Sequence, residues 1–562
     1  MNAPLLQIKE FWVRFTAGGE TTEAVRNLSL NINKGELQAL VGESGSGKSA
    51  TALSILRLLP EEVVGYEGSI VFSDNGQEHD LLTLKRQTLQ QIRGNRIAMI
   101  FQEPMTALNP VMTCGKQVME ALQQHKRISR AEARKATIEW FRKVKLPNPE
   151  QMIDRYPHQL SGGQKQRVVI AMAMCCKPSL LICDEPTTAL DVTVQRSILE
   201  LIRELQLEEQ MTVLFITHDL GVVSEIADRV AILYKGELVE ENTTQEIFQH
   251  PKHPYTKALL ACRPVNYSKR QRLPMVADFL EEKVTSATAT HNSDERNSDS
   301  ETIISIKDLT VRFPSKANLF GRPRSWYTAV KNVSLEVYKG ETLGLVGESG
   351  CGKTTLGRTM LGLVAPSEGE VIINNKDISR LSLKGLRQIR KEVQLIFQDP
   401  YSSLNPRLSI GDAIEEPMLV DNHFAKQTRK ARVKDLLDKV GLPEGYSKRY
   451  PHQFSGGQRQ RIVVARALAV NPGILVCDES VSALDVSVQA QVLNLLNDLK
   501  RDLNLTLIFI SHDLSVVRYM SDRIAVMQAG KIVELGEAEQ VYNNPQSEYT
   551  QALLSAIPGS VK

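Results

Sequence analysis

Two stretches alternate apolar and polar residues with period two: LSLNINKGE from Leu28 and VSLEVYKGE from Val333. That alternation predicts half-buried strands, the flank of an antiparallel sheet. PSLLICDEP from Pro178 and MTVLFITHD from Met211 are different. They are short unbroken apolar runs bounded by turn or helix signals, and they predict parallel strands buried on both faces. A helical spacing follows a glycine-rich loop in SATALSILRLL from Ser49.

The whole pattern occurs twice. LVGESGSGKS from Leu40 returns as LVGESGCGKT from Leu345, and IFQEPMTALNP from Ile100 as IFQDPYSSLNP from Ile396. RYPHQLSGGQKQR from Arg155 returns as RYPHQFSGGQRQR from Arg449, and DEPTTALDVTVQ from Asp184 as DESVSALDVSVQ from Asp478. FITHDLGVV from Phe215 returns as FISHDLSVV from Phe509, and even the tail PYTKALLA from Pro254 is echoed by EYTQALLS from Glu548. This is a duplicated domain rather than a short-period solenoid. The polar stretch TSATATHNSDERNSDSET from Thr285 reads as a solvated, flexible connector. The expected division is one α/β domain over 1–270, a linker over 271–302 and a second α/β domain over 303–562.

Composition narrows the class. The chain has 562 residues, a net charge of +3 and seven cysteines with no CxxC pair. Near-neutral charge speaks against a dedicated nucleic-acid partner. The cysteines read as reduced, mostly buried thiols rather than zinc ligands. No apolar run is long enough to span a bilayer, and the N-terminus lacks the charged and apolar regions of a secretory signal. The expected location is the cytoplasm, with any membrane role reached by docking on other subunits.

The chemistry sits in the repeated segments. Gly42, Ser44, Gly45, Gly47, Lys48 and Ser49 belong to one GxxxxGK[ST] loop, and Gly347, Ser349, Gly350, Gly352, Lys353 and Thr354 to the other. Glycines let backbone N–H groups approach phosphate, the following helix N-terminus adds a favourable dipole, and the lysine reaches the β- and γ-phosphates. The hydroxyl of Ser49 or Thr354 is suited to Mg²⁺. Asp184 and Asp478 end an apolar strand and should hold Mg²⁺; Glu185 and Glu479 should act as general bases on water. Ser161 with Gly163, and Ser455 with Gly457, open a helix with a serine and small residues, a setting suited to a γ-phosphate.

A phosphate loop, a carboxylate strand and Ser-Gly-Gly-Gln before a helix together resemble the ATPase domains of the ATP-binding cassette (ABC) superfamily, in both halves. The resemblance covers nearly the whole chain outside the linker. It implies two cassettes, each with a mixed sheet, an antiparallel β flank and a helical insert at about 100–160 or 396–454. It implies ATP and Mg²⁺ as cofactors and head-to-tail pairing, with Lys48 sharing a nucleotide with Ser455 and Lys353 with Ser161. Gln102 and Gln398 match the family's glutamine loop, which senses Mg²⁺ and water. His218 and His512 match the switch histidine, and Asp191 and Asp485 the D-loop. Phe15 and Phe313 sit where the family places an aromatic residue on adenine, with Trp326 and Tyr327 competing in the second half.

The segments FQEP…LNP, RYPHQ and HPYTKALL resemble the peptide/nickel-type importer ATPases, whose fused members serve glutathione or small peptides. That likeness implies two integral-membrane permease subunits, an extracytoplasmic solute-binding protein and a peripheral place on the cytoplasmic face of the inner membrane. The alternative is a non-transport tandem cassette of the translation-factor or DNA-repair type. Those relatives carry a long charged helical linker with an Asn-His pair, or coiled-coil or zinc insertions, which this sequence lacks. Only Cys262 follows the PYT tail, so no iron–sulfur cluster is expected. The second half has Ser480-Val481 where the first has Pro186-Thr187, with the base retained. Cys351, amid loop amides and near Lys353, reads either as a favoured thiolate or as an inert small residue in the place of Ser46.

Overall fold

The computed structural model describes residues 4–74, 76–102, 107–187, 190–269, 271–281, 301–317, 323–420, 425–482 and 484–557. The greater part of the expected linker, 282–300, lies outside the described residues. So do 188–189 and 483 beside the D-loops, and 103–106 and 421–424 in the helical inserts.

The chain divides into two compact units, one built mainly on Met1–Leu260 and the other on Ala261–Asp278 with Glu282–Ile557. In the first unit the strands are β1 (Leu6–Ala17), β2 (Glu20–Ile32), β3 (Leu37–Val41), β4 (Val64–Asp74), β5 (Gln77–Asp80), β6 (Ile97–Ile100), β7 (Leu180–Asp184), β8 (Thr212–Thr217), β9 (Arg229–Tyr234) and β10 (Glu237–Thr243). They form a four-stranded antiparallel sheet, β2-β1-β4-β5, and a six-stranded sheet, β10-β9-β3-β8-β7-β6. The larger sheet is parallel except for its edge strand β10, which pairs antiparallel with β9.

The unbroken apolar runs are explained by burial on both faces. Successive residues of a strand point to opposite faces. Accordingly Leu180 and Ile182 of β7 pack with Phe11, Leu30 and Ile55, under the antiparallel sheet. Leu181 and Cys183 of the same strand pack with Val168, Ile198 and Phe215 on the other side. The alternating segment from Leu28 falls in β2, where Leu28, Leu30 and Ile32 are buried and Ser29 and Asn31 exposed.

The second unit repeats this plan with β11 (Thr302–Ala317), β12 (Pro323–Tyr338), β13 (Thr342–Val346), β14 (Glu368–Ile373), β15 (Lys376–Asp377), β16 (Val393–Ile396), β17 (Ile474–Asp478), β18 (Thr506–Ser511), β19 (Arg523–Gln528) and β20 (Lys531–Glu537). Its sheets run β12-β11-β14-β15 and β16-β17-β18-β13-β19-β20. The helical inserts contain Cys114–His125 and Arg130–Lys143 in one unit, Ile410–Val420 and Lys426–Lys439 in the other.

Ala261–Asp278 belongs to the second unit, whereas the sequence divided these residues between the first domain and the linker. The physical reason is specific docking. Asn494 donates from Nδ2 to the Leu273 carbonyl at 2.8 Å and accepts the Leu273 N–H at 3.0 Å. Tyr519 donates its hydroxyl to the Gln271 carbonyl at 2.8 Å, and Lys269 pairs with Asp522. Cys262 and Leu273 are buried in the core of that unit.

Candidate active site

Each phosphate loop joins the end of a central strand, β3 or β13, to the N-terminus of a helix, Lys48–Ile55 or Lys353–Met360. Gly47 and Gly352, which cap those helices, have φ of 99° and 112°. A Cβ on either would stand 2.4 Å from a carbonyl oxygen, of Ala24 or Ala329 respectively. Glycine is therefore required on two counts. The turn aims the lysine back along its own loop. Lys48 Nζ donates to the carbonyls of Gly42 (2.6 Å) and Glu43 (2.8 Å); Lys353 Nζ donates to those of Gly347 (2.6 Å) and Glu348 (3.0 Å). Both lysines are buried, while Ser44 and Gly45, like Ser349 and Gly350, form the exposed crest of the loop.

The next residue reaches the neighbouring strand end. Ser49 Oγ donates to Asp184 Oδ1 and Thr354 Oγ1 to Asp478 Oδ1, each at 3.1 Å. Burial pushes the Asp184 carboxyl up to about 6, against the opposing pull of Ser49, and pushes that of Asp478 up as well. The carboxylate and hydroxyl oxygens of Asp184 with Ser49, and of Asp478 with Thr354, fit a hard divalent cation with water completing its shell. Ionising a desolvated aspartate is favourable when such a cation is beside it.

Glu185 and Glu479 stand just past the strand ends with φ of 47° and 49°. Left-handed backbone costs a non-glycine residue about 1–3 kcal/mol and persists where the surroundings over-determine it. Here their N–H groups are fixed on the carbonyls of Ile216 and Ile510, both at 2.9 Å. Gln102 donates from Nε2 to Glu185 Oε2 at 2.9 Å, and His218 Nδ1 lies 3.1 Å from Oε1. In the second unit Gln398 Nε2 is 2.7 Å from Glu479 Oε2 and His512 Nδ1 is 3.8 Å from the same oxygen. The neighbouring His512 holds the Glu479 carboxyl below the ordinary range despite its burial. Lys48, Ser49, Asp184, Glu185, Gln102 and His218 thus converge at the C-terminal ends of the parallel strands, and their counterparts converge likewise.

The signature residues are built into helix starts. Ser161 caps Gly162–Met174: its hydroxyl accepts the Gln164 N–H at 3.3 Å, and Gln164 Oε1 accepts the Ser161 N–H at 3.2 Å. Ser455 and Gln458 repeat this reciprocal cap. A Cβ on Gly163 would lie 2.7 Å from Val194 Cγ1, and one on Gly457 2.2 Å from Val488 Cγ1. Close helix packing therefore demands both glycines. Asp191 and Asp485 stand at the N-caps of the helices carrying those valines.

Phe15 is half-buried and packs on the core beneath the antiparallel sheet. Phe313 is more open and pairs across strands with Tyr327. The Tyr327 hydroxyl donates to the Gly350 carbonyl at 3.3 Å, so in the second unit Tyr327 touches the phosphate loop. Of the two readings of Cys351, its burial fits the inert one. Burial pushes its thiol up, and Lys353, 3.8 Å away, does not offset this because its charge is already engaged by loop carbonyls. Sequence reasoning missed Tyr255 and Tyr549, whose hydroxyls accept the N–H of Glu43 and Glu348 at 3.1 Å. The available signal was the echo of the PYT and EYT tails.

A loop-held lysine, a hydroxyl-bonded buried aspartate and a glutamate bonded by glutamine recur in both units, an arrangement suited to hydrolysis of a nucleoside triphosphate. Comparison with known proteins gives the family. The ABC transporter family matches residues 25–188 and 330–482, and the oligopeptide/dipeptide transporter C-terminal region matches 239–285 and 533–561. The glutathione import ATP-binding protein GsiA of Pectobacterium atrosepticum is 47% identical over 558 residues, 99% of this chain and 89% of its own. GsiA of Escherichia coli (strain K12) is 47% identical over 568 residues, with the same coverage. The dimeric structure of MJ0796, a bacterial ABC transporter cassette, aligns with 42% of this chain and 98% of its own at 30% identity, TM-score 0.38. The chain belongs to the ABC transporter family, as a nucleotide-binding transport ATPase with two cassettes. No helix among the described residues is long and apolar enough to cross a membrane.

Proposed function

We propose that both cassettes bind and hydrolyse Mg²⁺-ATP and so power import of small peptides or glutathione-like solutes. The pore is supplied by two integral-membrane permease subunits, and capture by an extracytoplasmic solute-binding protein. The chain then lies peripherally on the cytoplasmic face of the inner membrane. The observation that carries the reading is the duplicated cluster: in each unit a buried lysine, a hydroxyl–aspartate pair and a glutamate held by glutamine meet at the C-terminal ends of the parallel strands. The full-length likeness to glutathione import ATP-binding proteins supports the solute class.

Lys48 and Lys353 bind the β- and γ-phosphates through a charge already aimed by the loop. Ser49 with Asp184, and Thr354 with Asp478, would hold Mg²⁺, joined by Gln102 or Gln398; when bound, Mg²⁺ would supply positive charge beside the phosphates. Glu185 and Glu479 take a proton from the attacking water, and Gln and His fix the carboxylate for that step. Phe15 in one cassette, and Phe313 or Tyr327 in the other, stack on adenine. The signature residues Ser161 and Gly163 complete the site built on Lys353, and Ser455 and Gly457 the site built on Lys48. The helical inserts receive the permeases' cytoplasmic helices.

Photo-crosslinking of a nucleotide to the full chain tests the pairing. Ser161→Arg should abolish labelling at the Lys353 loop and spare the Lys48 loop. The reverse pattern would contradict head-to-tail sharing. Purification from washed membranes with two multi-span partners tests the importer reading.

A further inference from the structure

The tail segments that follow each central sheet make the same contact with the phosphate loop in both units, and none of the site chemistry above uses it. After β10 comes a short helix, Thr244–Gln249, then a turn and a helix from Pro254; after β20 comes Ala538–Asn543, then a turn and the equivalent helix from Glu548. Each turn is pinned by a carboxylate on the edge strand. Glu240 accepts the N–H groups of Lys252 (2.9 Å) and His253 (3.0 Å), and Glu534 those of Gln546 (2.8 Å) and Ser547 (3.1 Å). Two residues further on, Tyr255 and Tyr549 point back to the loops.

We infer that Tyr255 and Tyr549 are positioning residues of the two phosphate loops, each fixing the loop glutamate whose carbonyl holds the phosphate-binding lysine. The geometry is a relay through one residue. The tyrosine hydroxyl accepts the Glu43 N–H at 3.1 Å, and the Glu43 carbonyl accepts Lys48 Nζ at 2.8 Å. In the other unit Tyr549 accepts the Glu348 N–H at 3.1 Å, and the Glu348 carbonyl accepts Lys353 Nζ at 3.0 Å. The Glu43 N–H shares one planar peptide with the Gly42 carbonyl, and the Glu348 N–H with the Gly347 carbonyl, so holding the N–H sets the direction of a carbonyl that accepts the lysine ammonium at 2.6 Å in each loop. That ammonium must meet the β- and γ-phosphates, so loop orientation enters nucleotide affinity directly.

The packing around the two tyrosines differs while the hydrogen bond does not. Tyr255 is fully buried and lies against Tyr234, ring centroids 4.3 Å apart. Tyr549 is half-buried, and the last residue of β19, equivalent in place to Tyr234, is Gln528. In both units the tyrosine hydroxyl nonetheless meets the same loop amide. The tail region is therefore wired to the nucleotide site: movement of the turn at Glu240 or Glu534 is transmitted to Lys48 or Lys353 through one side chain.

The inference rests on the reading of the loops as ATP sites. Tyr255→Phe and Tyr549→Phe in the full chain remove the hydroxyl and keep the ring. ATP hydrolysis should show KM raised about three- to tenfold in each, the worth of one hydrogen bond, with kcat changed less and thermal midpoints close to wild type. The double variant should raise KM further. Unchanged KM in both single variants overturns the inference and leaves the ATP reading intact. A KM rise seen only together with a matching fall in melting temperature also overturns it, since that marks a structural role. Failure of the unaltered chain to bind ATP would instead sink the reading beneath.

Discussion

His218 Nδ1 stands 3.1 Å from Glu185 Oε1, whereas His512 Nδ1 stands 3.8 Å from Glu479 Oε2. The first is hydrogen-bond distance and the second is not. Glu185 is thereby hydrogen-bonded by two side chains, one on each carboxylate oxygen, whereas Glu479 is hydrogen-bonded by Gln398 and has His512 beside it at 3.8 Å. Removing His218 breaks a hydrogen bond to the base, and removing His512 does not. His218→Ala should therefore reduce ATP turnover more than His512→Ala does. Single-turnover hydrolysis with the other site disabled measures this; equal losses would show that the difference in geometry has no kinetic consequence.

Cys351 lies where the first loop has Ser46, and each side chain sits beside the loop lysine, Lys48 Nζ being 3.5 Å from Ser46 Oγ. With its thiol pushed up by burial, Cys351 should be a poor nucleophile at neutral pH. Alkylation by iodoacetamide should be slow, and Cys351→Ser should hydrolyse ATP within about twofold of wild type, because the swap conserves size and polarity toward the lysine. Rapid inactivation prevented by Cys351→Ser would contradict the burial argument.

Asp522 gathers the docked segment and the second sheet. Its carboxylate accepts the Thr342 N–H at 2.8 Å and pairs with Lys500 at 3.3 Å and with Lys269. Burial alone would push this carboxyl up; Lys269 and Lys500 outweigh it and hold it well below the ordinary range. A depressed folded value contributes stability that is present above the unfolded pKa, about 3.9, and lost as pH falls through it toward the folded one. Asp522→Asn should thus cost about 2–4 kcal/mol at pH 7. The gap from wild type in melting temperature should close on acidification below about pH 4. A gap that is constant with pH would mean the charge is not the cause.

Tyr327 touches the second phosphate loop and Phe313 pairs beside it. Tyr327→Ala should therefore weaken ATP binding at that site more than Phe313→Ala, by about tenfold if a stacking face worth 0.5–1.5 kcal/mol is lost along with the loop contact. Fluorescent-nucleotide titration of the second site, with Lys48→Ala silencing the first, gives the comparison. A larger loss in Phe313→Ala would return the adenine role to Phe313.

Much of this was legible in the sequence because the deciding signals are local. The period-two run from Leu28 became β2, the unbroken run at Leu180 became a strand buried on both faces, and the motifs named the residues that meet at the strand ends. The docking of Leu273 was not legible. RLPM reads as connector, and its partners Asn494 and Tyr519 lie more than two hundred positions away. Nor does the first cassette hint at it: the ninth residue of helix Val192–Glu209 is Glu200 where helix Val486–Leu503 has Asn494. The environment of Cys351 also escaped, since proximity to lysine shows in sequence and desolvation does not.

The central claim is that this chain is a two-site ATPase whose bases are Glu185 and Glu479. The most direct measurement is ATP binding and hydrolysis by the purified full chain carrying Glu185→Gln together with Glu479→Gln. Glutamine keeps the size and hydrogen-bonding reach of each side chain but cannot accept the water's proton. The account predicts two nucleotides retained per chain as unhydrolysed ATP, with turnover reduced at least about a hundredfold. Hydrolysis near the wild-type rate, with ADP recovered from both sites, would contradict it.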